Sequence, residues 1–500
     1  MEPKNTLRKL AALLRPTDAL ALVWWCLSFW YERLVFLEGA AAQHPITWVV
    51  LKLLTLLTMA LLLRFFAAAL RERKCGDEAE AAGTLRATLP LFALLLLLWA
   101  FGGFWPIQYP SDQSNILYSA TLYDAMGGFF FYLTPWIPML GMSLFPHEAA
   151  AVVFKILLVS LMTGRCVYRL RRLYGTRLAY LLYLPFLLPP GLYLSLSIHR
   201  IPSYAVLYLL FSTVLLCDHE EGRPLTKGRY VLLCLTAAAL TQWRSEGIYL
   251  LILAPILFFL AYRPQLSRRQ KALSLAAFLA AQIAVHIPQS VVSADDASER
   301  AMPLFESLIT GMERKGLDKE KNAGDLAAVD RYIDLEALHA MNEELGDYAY
   351  NDNLILYYGM RENPTPEDVA GFRAAVIRIV LRNPLVYLRN QLACWVHISE
   401  QTYHDRKLDE LANIFQRLYL PTAFLLFVWI ATLRRREWLA WFLTSGHLCH
   451  FVITTLLLPA AYFKYYYSEY LYAFLAATML LCVLRRRSRE KKKAAAAAVG

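Results

Sequence analysis

The sequence predicts an all-α membrane protein, with about twelve transmembrane helices and a mainly helical external domain. Three observations predict it. Of 500 residues, 58% are hydrophobic and only 18% charged, where soluble domains carry about 45–50% and about 25%. The apolar residues gather in runs near the length of about 20 residues that crosses a bilayer. The basic residues gather in short clusters between those runs. The excess of 51 Lys+Arg over 40 Asp+Glu, +11 net, is therefore a topology signal and not a nucleic-acid surface.

The expected spans lie at 17–37, 44–69, 87–105, 148–168, 176–197, 201–218, 229–243, 246–262, 272–290, 417–433, 438–457 and 462–484. Glu32 and Arg33 break the first, and Gly39-Ala40-Ala41-Ala42 resembles a signal-peptidase site. A long start and an ion pair inside the apolar core favour a retained helix. If the spans alternate, Arg71–Lys74, Arg165–Arg172, Arg223–Arg229, Arg263–Lys271, Arg434–Arg436 and Arg485–Lys493 all fall on one side, with Lys4, Arg8, Lys9 and Arg15. Segment 291–416 falls on the other, carrying 22 acidic and 13 basic residues, net −9. The reading is a multi-pass protein of a cell membrane, as of a bacterial inner or plasma membrane, with both termini cytoplasmic. Its parts are an N-terminal transmembrane region at 1–290 with a first external loop at 106–147, an external helical domain at 291–416, C-terminal transmembrane helices at 417–484 and a basic cytoplasmic tail at 485–500. That tail suits anionic lipid.

Within the first loop, Ser111 to Met126 reads as an amphipathic helix with Ile116, Leu117, Ala120 and Tyr123 on one side. The Pro-punctuated stretch Gly127–Pro146 reads as re-entrant or interfacial. In the external domain, 325–345 reads as a helix, and Thr365-Pro366-Glu367-Asp368 caps another that runs to about Arg382. Pro384–Trp395 places Leu385, Leu388, Leu392 and Trp395 on one stripe, as for a helix lying on a bilayer. Cysteines 26, 75, 166, 217, 234, 394, 449 and 482 are scattered without a disulfide or zinc spacing. No Walker A, GxSxG or HExxH motif is present.

Three short motifs carry a resemblance. Tyr109-Pro110-Ser111-Asp112-Gln113 opens the first external loop. Thr241-Gln242-Trp243-Arg244-Ser245-Glu246-Gly247 ends a span on the outer side. Lys464 and then Tyr465-Tyr466-Tyr467-Ser468-Glu469-Tyr470 begin the last helix. With the helical domain before the last spans, the chain resembles the GT-C superfamily of polytopic glycosyltransferases over most of 87–484, nearest to uncharacterised bacterial branches. It departs in having more spans before the first loop than family members usually have.

The resemblance implies transfer of a sugar from a polyprenyl-phosphate donor to an external acceptor, whether cell-envelope glycan, lipid or protein. It implies an external carboxylate as general base and basic side chains on the departing lipid phosphate. Asp112 is the candidate base, with helix N-capping as its alternative or additional role. Asp124 is the second candidate; twelve residues on, it lies about 120° round the helix. The second acidic residue that some members carry has no clear counterpart, which leaves a divalent cation open as a cofactor; no metal ligands are assigned. His199, Arg200, Arg244 and Lys464 are external rim cations where the positive-inside rule disfavours them, so they are the phosphate-binding candidates. Glu246 joins them as the ion-pair partner available to Arg244, and Tyr465 as a ring able to stack on sugar. The implied partners are the lipid-linked donor and membrane lipid, without nucleic acid.

His447 and His450 have a spacing that a metal could use, but no third ligand accompanies them, so helix–helix contacts are the expectation. Lys52, Arg64 and Lys155 lie inside spans and must face protein or water. Rival readings are an envelope polysaccharide polymerase or ligase, a secondary transporter, and a membrane scaffold. The chain lacks the halved self-similarity usual in transporters.

Overall fold

A computed structural model describes residues 15–71, 76–102, 111–124, 131–262, 267–292, 302–346, 359–400, 417–457 and 462–499. Apolar runs rich in Leu and Ala, without strand alternation, wind into helices throughout. Among the described residues the sole β feature is the isolated bridge Ile333–Met360. The chain is a helical membrane protein.

In chain order, α1 is Pro16–Tyr31 and α2 Pro45–Leu70. Next come α3 Gly76–Phe101, α4 Ser111–Thr121, α5 Leu133–Leu144 and α6 Ala149–Tyr174. They are followed by α7 Pro189–Leu196, α8 Arg200–Glu220, α9 Lys227–Trp243, α10 Leu250–Tyr262 and α11 Arg268–Val292. The segment after α11 holds α12 Met302–Arg314, α13 Ala323–Asp330, α14 Leu335–Leu345, α15 Pro366–Arg382 and α16 Pro384–Glu400. The last three helices are α17 Tyr419–Arg435, α18 Trp438–Leu456 and α19 Tyr467–Val499.

Among the described residues, six helices are long and apolar enough to cross a membrane: α2, α3, α6, α8, α18 and Phe463–Lys491. A seventh crossing results if Arg177–Leu187 and α7, bent by 75°, count as one. Pro189 and Pro190 explain that bend, because the residue before a proline leaves the helical region, and Leu188 is extended at φ −71°, ψ 145°. The other expected spans fall on shorter apolar helices. α1 has 16 residues, α9 and α17 have 17 each, and apolar helix covers Glu246–Tyr262 and Ala272–Ile287. α1 stops at Tyr31, before the expected 37, where a 3-10 turn Glu32–Leu34 lets Glu32 meet Lys52 of α2 at 2.5 Å.

α8 is the central helix, with 78% of its apolar window buried against 22% for α2. α3 crosses α6 at close range, because Gly164 leaves no side chain against Thr88 and Gly83 none against Tyr168. The bundle end where α8 starts and α9 stops is called upper here. At the lower end, Arg169 reaches Asp218 at 2.8 Å and Glu221 at 3.1 Å, and Glu80 gathers Arg165 at 2.8 Å and Arg223 at 2.6 Å. A cavity of about 470 Å³ beside them is lined by Glu80, Arg172, Arg223 and Arg229, among others.

Three expectations need correction. The helix expected at 111–126 ends at Thr121, because Tyr123 turns left-handed (φ 55°) and the Asp124 amide donates to the Ser119 carbonyl at 2.9 Å, a Schellman-type stop. Met126 lies outside the described residues, as do 127–130; of the stretch expected to be re-entrant or interfacial, Leu133–Leu144 forms α5, whose Met139, Gly141 and Met142 are buried in the bundle, so only the interfacial alternative is corrected. The helix expected at 325–345 is two helices. The Asp334 side chain caps α14, and the backbone pairs Asp334 to Gly359 at 2.8 Å and Arg361 to Tyr332 at 3.0 Å, so the chain turns between them.

α15 matches its expected cap, with Thr365 and Asp368 bonding reciprocally and Pro366 first in the helix. It packs with α12–α14 round a core of Ile309, Met312, Val329, Ile333, Phe372 and Val376. α16 docks this domain on the upper end of α18. Tyr387 Oη donates to the Leu456 carbonyl at 2.6 Å, and Gln391 Nε2 to the Thr455 carbonyl at 3.0 Å. Its other face exposes Leu385, Leu388, Leu392 and Val396. Trp395, expected on that stripe, instead turns inward onto Tyr419, ring centres 4.9 Å apart. α19 continues as helix through the basic run to Val499.

Candidate functional site

Four chain segments deliver side chains to the upper end. The α7–α8 connection is pinned from α6, where buried Lys155 donates to the carbonyls of Leu194, at 2.8 Å, and Ser197. Two residues later His199 caps α8, its Nδ1 accepting the Ile201 amide at 3.3 Å, and Arg200 opens the helix. α9 ends where Trp243 donates to Thr134 Oγ1 of α5 at 3.1 Å, and Arg244 then takes an extended conformation. The chain folds straight back into a 3-10 turn, Ser245–Tyr249. Gly247 permits this, because a Cβ there would stand 2.2 Å from the Leu240 carbonyl oxygen. Before α19, a 3-10 turn Phe463–Tyr466 presents Lys464 and Tyr465.

These segments meet. Lys464 Nζ lies 3.2 Å from His199 Nε2 and 4.5 Å from the Tyr462 ring centre. The Arg244 guanidinium lies 5.3 Å from the centre of the Tyr465 ring, which Lys464 also approaches at 5.5 Å. Arg244 and Glu246 form a buried ion pair, with Nε to Oε2 at 3.2 Å, while Arg244 Nη1 has no hydrogen-bond partner among the described residues. His199, Arg244, Glu246, Lys464 and Tyr465 are thus in one cluster, beside Arg200 at the start of α8. The His199–Lys464 contact is informative in itself. It joins the cap of α8 to the turn before α19 and brings a lysine ammonium and an imidazole to one point.

The two acidic candidates stand on the first loop. Asp112 is in the first turn of α4, and its side chain lies outside the described residues. Asp124 is half-buried beyond the end of α4, so the expected 120° offset along a continuous helix does not apply to it. Neighbouring Tyr123 ties this corner to the N-terminal helices, stacking on Phe36 at 4.3 Å and donating to Glu32 at 3.2 Å.

A second layer lies next to the cluster, and in it His450 makes a polar helix–helix contact of the kind expected of it; that Glu469 is its partner was not read from the sequence. His450 of α18 pairs through Nδ1 with Glu469, in the first turn of α19. Thr454 Oγ1 and Ser468 Oγ each lie 3.4 Å from the same Nδ1, which leaves Nε2 as the ring nitrogen without a partner among the described residues. Tyr204 of α8 stacks on the His450 ring at 5.9 Å, and Tyr249 meets it edge-on at 6.2 Å. Glu246 is within electrostatic reach of His450, and Tyr204 within reach of Arg244, Glu246 and Glu469. One signal pointed there: Glu469 is the single acidic residue of the apolar run 462–484. His447 makes the helix–helix contacts expected of it, lying between Tyr208 at 4.0 Å and Tyr472 at 3.9 Å, with Nε2 3.3 Å from Ser212 Oγ. No group of three His, Cys, Asp or Glu fit to hold a metal occurs among the described residues.

No protein-family model, curated protein or solved structure matches the chain.

Proposed function

We propose that this chain is a GT-C-type integral membrane glycosyltransferase that moves a sugar from a polyprenyl-phosphate donor to an acceptor hydroxyl on the outer side of a cell membrane. In this reading the chain crosses the bilayer about twelve times, both termini are cytoplasmic, and the upper end with α12–α16 faces outward. The shorter helices suffice where tilt and local thinning adjust the bilayer to them.

The observation that carries the reading is the convergence of His199 and Lys464, 3.2 Å apart, with Arg244 on the adjoining Tyr465 ring. All three are rim cations by sequence, and they come from the start of α8, the end of α9 and the turn before α19, far apart in sequence. Such a set suits a phosphate, and the positive end of the α8 dipole adds to it. In the reaction, the acceptor oxygen bonds to the anomeric carbon and gives its proton to Asp112. The bond from that carbon to the phosphate oxygen breaks, and its electron pair leaves with the polyprenyl phosphate, held by Lys464, His199 and Arg200. The Glu246 carboxylate neutralises part of the Arg244 charge and fixes its orientation.

The test uses the full chain in lipid nanodiscs with decaprenyl phosphate and a panel of its glycosyl conjugates. Wild type binds the bare lipid phosphate, and Lys464→Met weakens that binding. Asp112→Asn keeps it but loses transfer by about 10²–10⁴-fold, the usual contribution of a positioned base. Failure of wild type to bind the bare lipid phosphate refutes the reading. Retained transfer in Asp112→Asn refutes the base assignment and brings forward the polymerase or ligase alternative.

A further inference from the structure

We propose that Tyr204, Arg244, His450 and Glu469 form a subsite that recognises the hydroxyl groups of the donor's sugar ring; this deepens the glycosyl-transfer reading and rests on it. Each of the four side chains is buried, at 7% exposure or less. Each also keeps one polar atom without a hydrogen-bond partner among the described residues: Tyr204 Oη, Arg244 Nη1, His450 Nε2 and Glu469 Oε2. Buried polar atoms are nearly always satisfied in folded proteins, and one left over costs stability. Four of them round one spot, on three different helices and the turn after a fourth segment, mark a place built for something that supplies both donors and acceptors.

The chemistry of the four atoms selects the class of ligand. Arg244 Nη1 donates, Glu469 Oε2 accepts, and the Tyr204 hydroxyl and His450 Nε2 do either, the second according to the protonation of the ring. A further anion beside Glu469 is repelled, and a cation beside Arg244 likewise. A neutral polyhydroxyl ring answers all four, since every hydroxyl both gives and takes a hydrogen bond. Tyr204 and Tyr249, the second 6.2 Å from the His450 ring, add aromatic surface for the apolar faces of such a ring. Arg244 joins the two halves of the site: it stacks on Tyr465 beside Lys464 and lies within electrostatic reach of Tyr204. A phosphate at Lys464 and His199 would carry its sugar into this layer. His450 lies six residues before the end of α18, about 9 Å below the rim at 1.5 Å per residue, a depth that suits one sugar ring.

Tyr204→Phe is the decisive variant, because it removes only an unpartnered hydroxyl and leaves the ring packed. Full-length protein in nanodiscs is titrated with decaprenyl phosphate and with its mannosyl, glucosyl, galactosyl, N-acetylglucosaminyl and arabinosyl conjugates, and its thermal midpoint is measured without lipid. Wild type should bind at least one conjugate tenfold or more tighter than the bare lipid. Tyr204→Phe should lose about tenfold of that preference, one hydrogen bond's worth, with bare-lipid affinity unchanged and a lipid-free midpoint equal or higher. Glu469→Gln should also narrow the preference. Three outcomes overturn the proposal: no conjugate preferred over the bare lipid, the preference intact in both variants, or a lipid-free Tyr204→Phe protein less stable than wild type, which would give the hydroxyl a structural partner. Failure of wild type to bind even bare decaprenyl phosphate instead overturns the glycosyl-transfer reading, and this subsite falls with it.

Discussion

Replacing Lys155 by Met probes how the upper end is held in place. Lys155 is 1% exposed, and its ammonium group donates to the carbonyls of Leu194 and Ser197, where the chain leaves α7 and turns towards His199. Both carbonyls lie at the negative end of α7, so a cation is well placed there. Lys155→Met leaves two buried acceptors unsatisfied, at about 1–3 kcal/mol each, or about 2–6 kcal/mol together. Removing a buried ammonium returns part of this, about 2 kcal/mol of desolvation against a mid-range loss of about 4, so the net loss should be about 2 kcal/mol. Concentrated in one connection, that loss raises local opening about thirtyfold. Hydrogen exchange measured by mass spectrometry should therefore speed up by that factor at the amides of 195–201, while α12–α15 keep their wild-type rates. Bare decaprenyl phosphate should bind more weakly, because His199 loses its fixed position. Unchanged exchange at 195–201 would refute the argument that Lys155 holds this turn. Faster exchange everywhere would show a general loss of packing in its place.

Gly164→Ala should destabilise the bundle by about 1–3 kcal/mol, because its Cβ would stand 2.7 Å from Thr88 Cα and 2.8 Å from Thr88 N, backbone atoms that cannot swing aside. Gly228→Ala, with open space at its Cβ, is the control and should leave the thermal midpoint unchanged or higher. Burial raises the Glu306 carboxyl above its ordinary 4.5, and the hydrogen bond from Tyr332 offsets this only in part. Its stabilising effect is complete below 4.5 and is lost as pH rises through the folded value, so Glu306→Gln should gain stability on wild type between pH 5 and 8; parallel curves from denaturant titrations would contradict this. For topology, Glu343→Cys should react with an impermeant thiol reagent in intact cells and Arg269→Cys should not, and the reverse labelling would invert the membrane orientation.

Much of the helical framework was legible because local rules decide it. Thr365 with Pro366 and Asp368 starts α15 at the residue that capping chemistry indicates, whatever packs above it. The apolar side of α4 was equally readable, and Ile116, Leu117 and Ala120 are buried as periodicity requires. Where competing tertiary bonds intervene, the linear pattern misleads. The run 325–345 has helical composition throughout, yet pairing of Asp334 with Gly359 breaks it, and nothing local announces a partner 25 positions away. The 176–197 run is apolar from end to end, but Pro189 and Pro190 outweigh that continuity. Rim cations could be singled out one by one, as exceptions to a charge rule. Their partners could not, since which helix ends touch is settled by packing across the whole bundle.

The same limit applies to the partners of His450, Glu469 and Tyr204, and it says what kind of residue deserves suspicion in a membrane chain. Charges within the spans carry a desolvation cost that lipid cannot relieve, and here the structure meets it with partners. Lys52 has Glu32 at 2.5 Å, Arg64 has both oxygens of Asp18 at 2.6 and 2.7 Å, and Arg169 has Asp218 at 2.8 Å. Those pairs tie helix to helix, and a linking role accounts for them. His450 and Glu469 also pair, but each retains a second buried polar atom with no hydrogen-bond partner among the described residues, as do the neighbouring Tyr204 and Arg244. A purely structural pair gains nothing from that spare capacity, since burying an apolar atom there would be more stable. A single spare atom does not mark a site, since Arg169 Nε in its pair with Asp218 and His447 Nδ1 also lack a partner among the described residues; four such atoms at one spot, between an imidazole and a guanidinium, are what separates a binding layer from a structural one at equal burial.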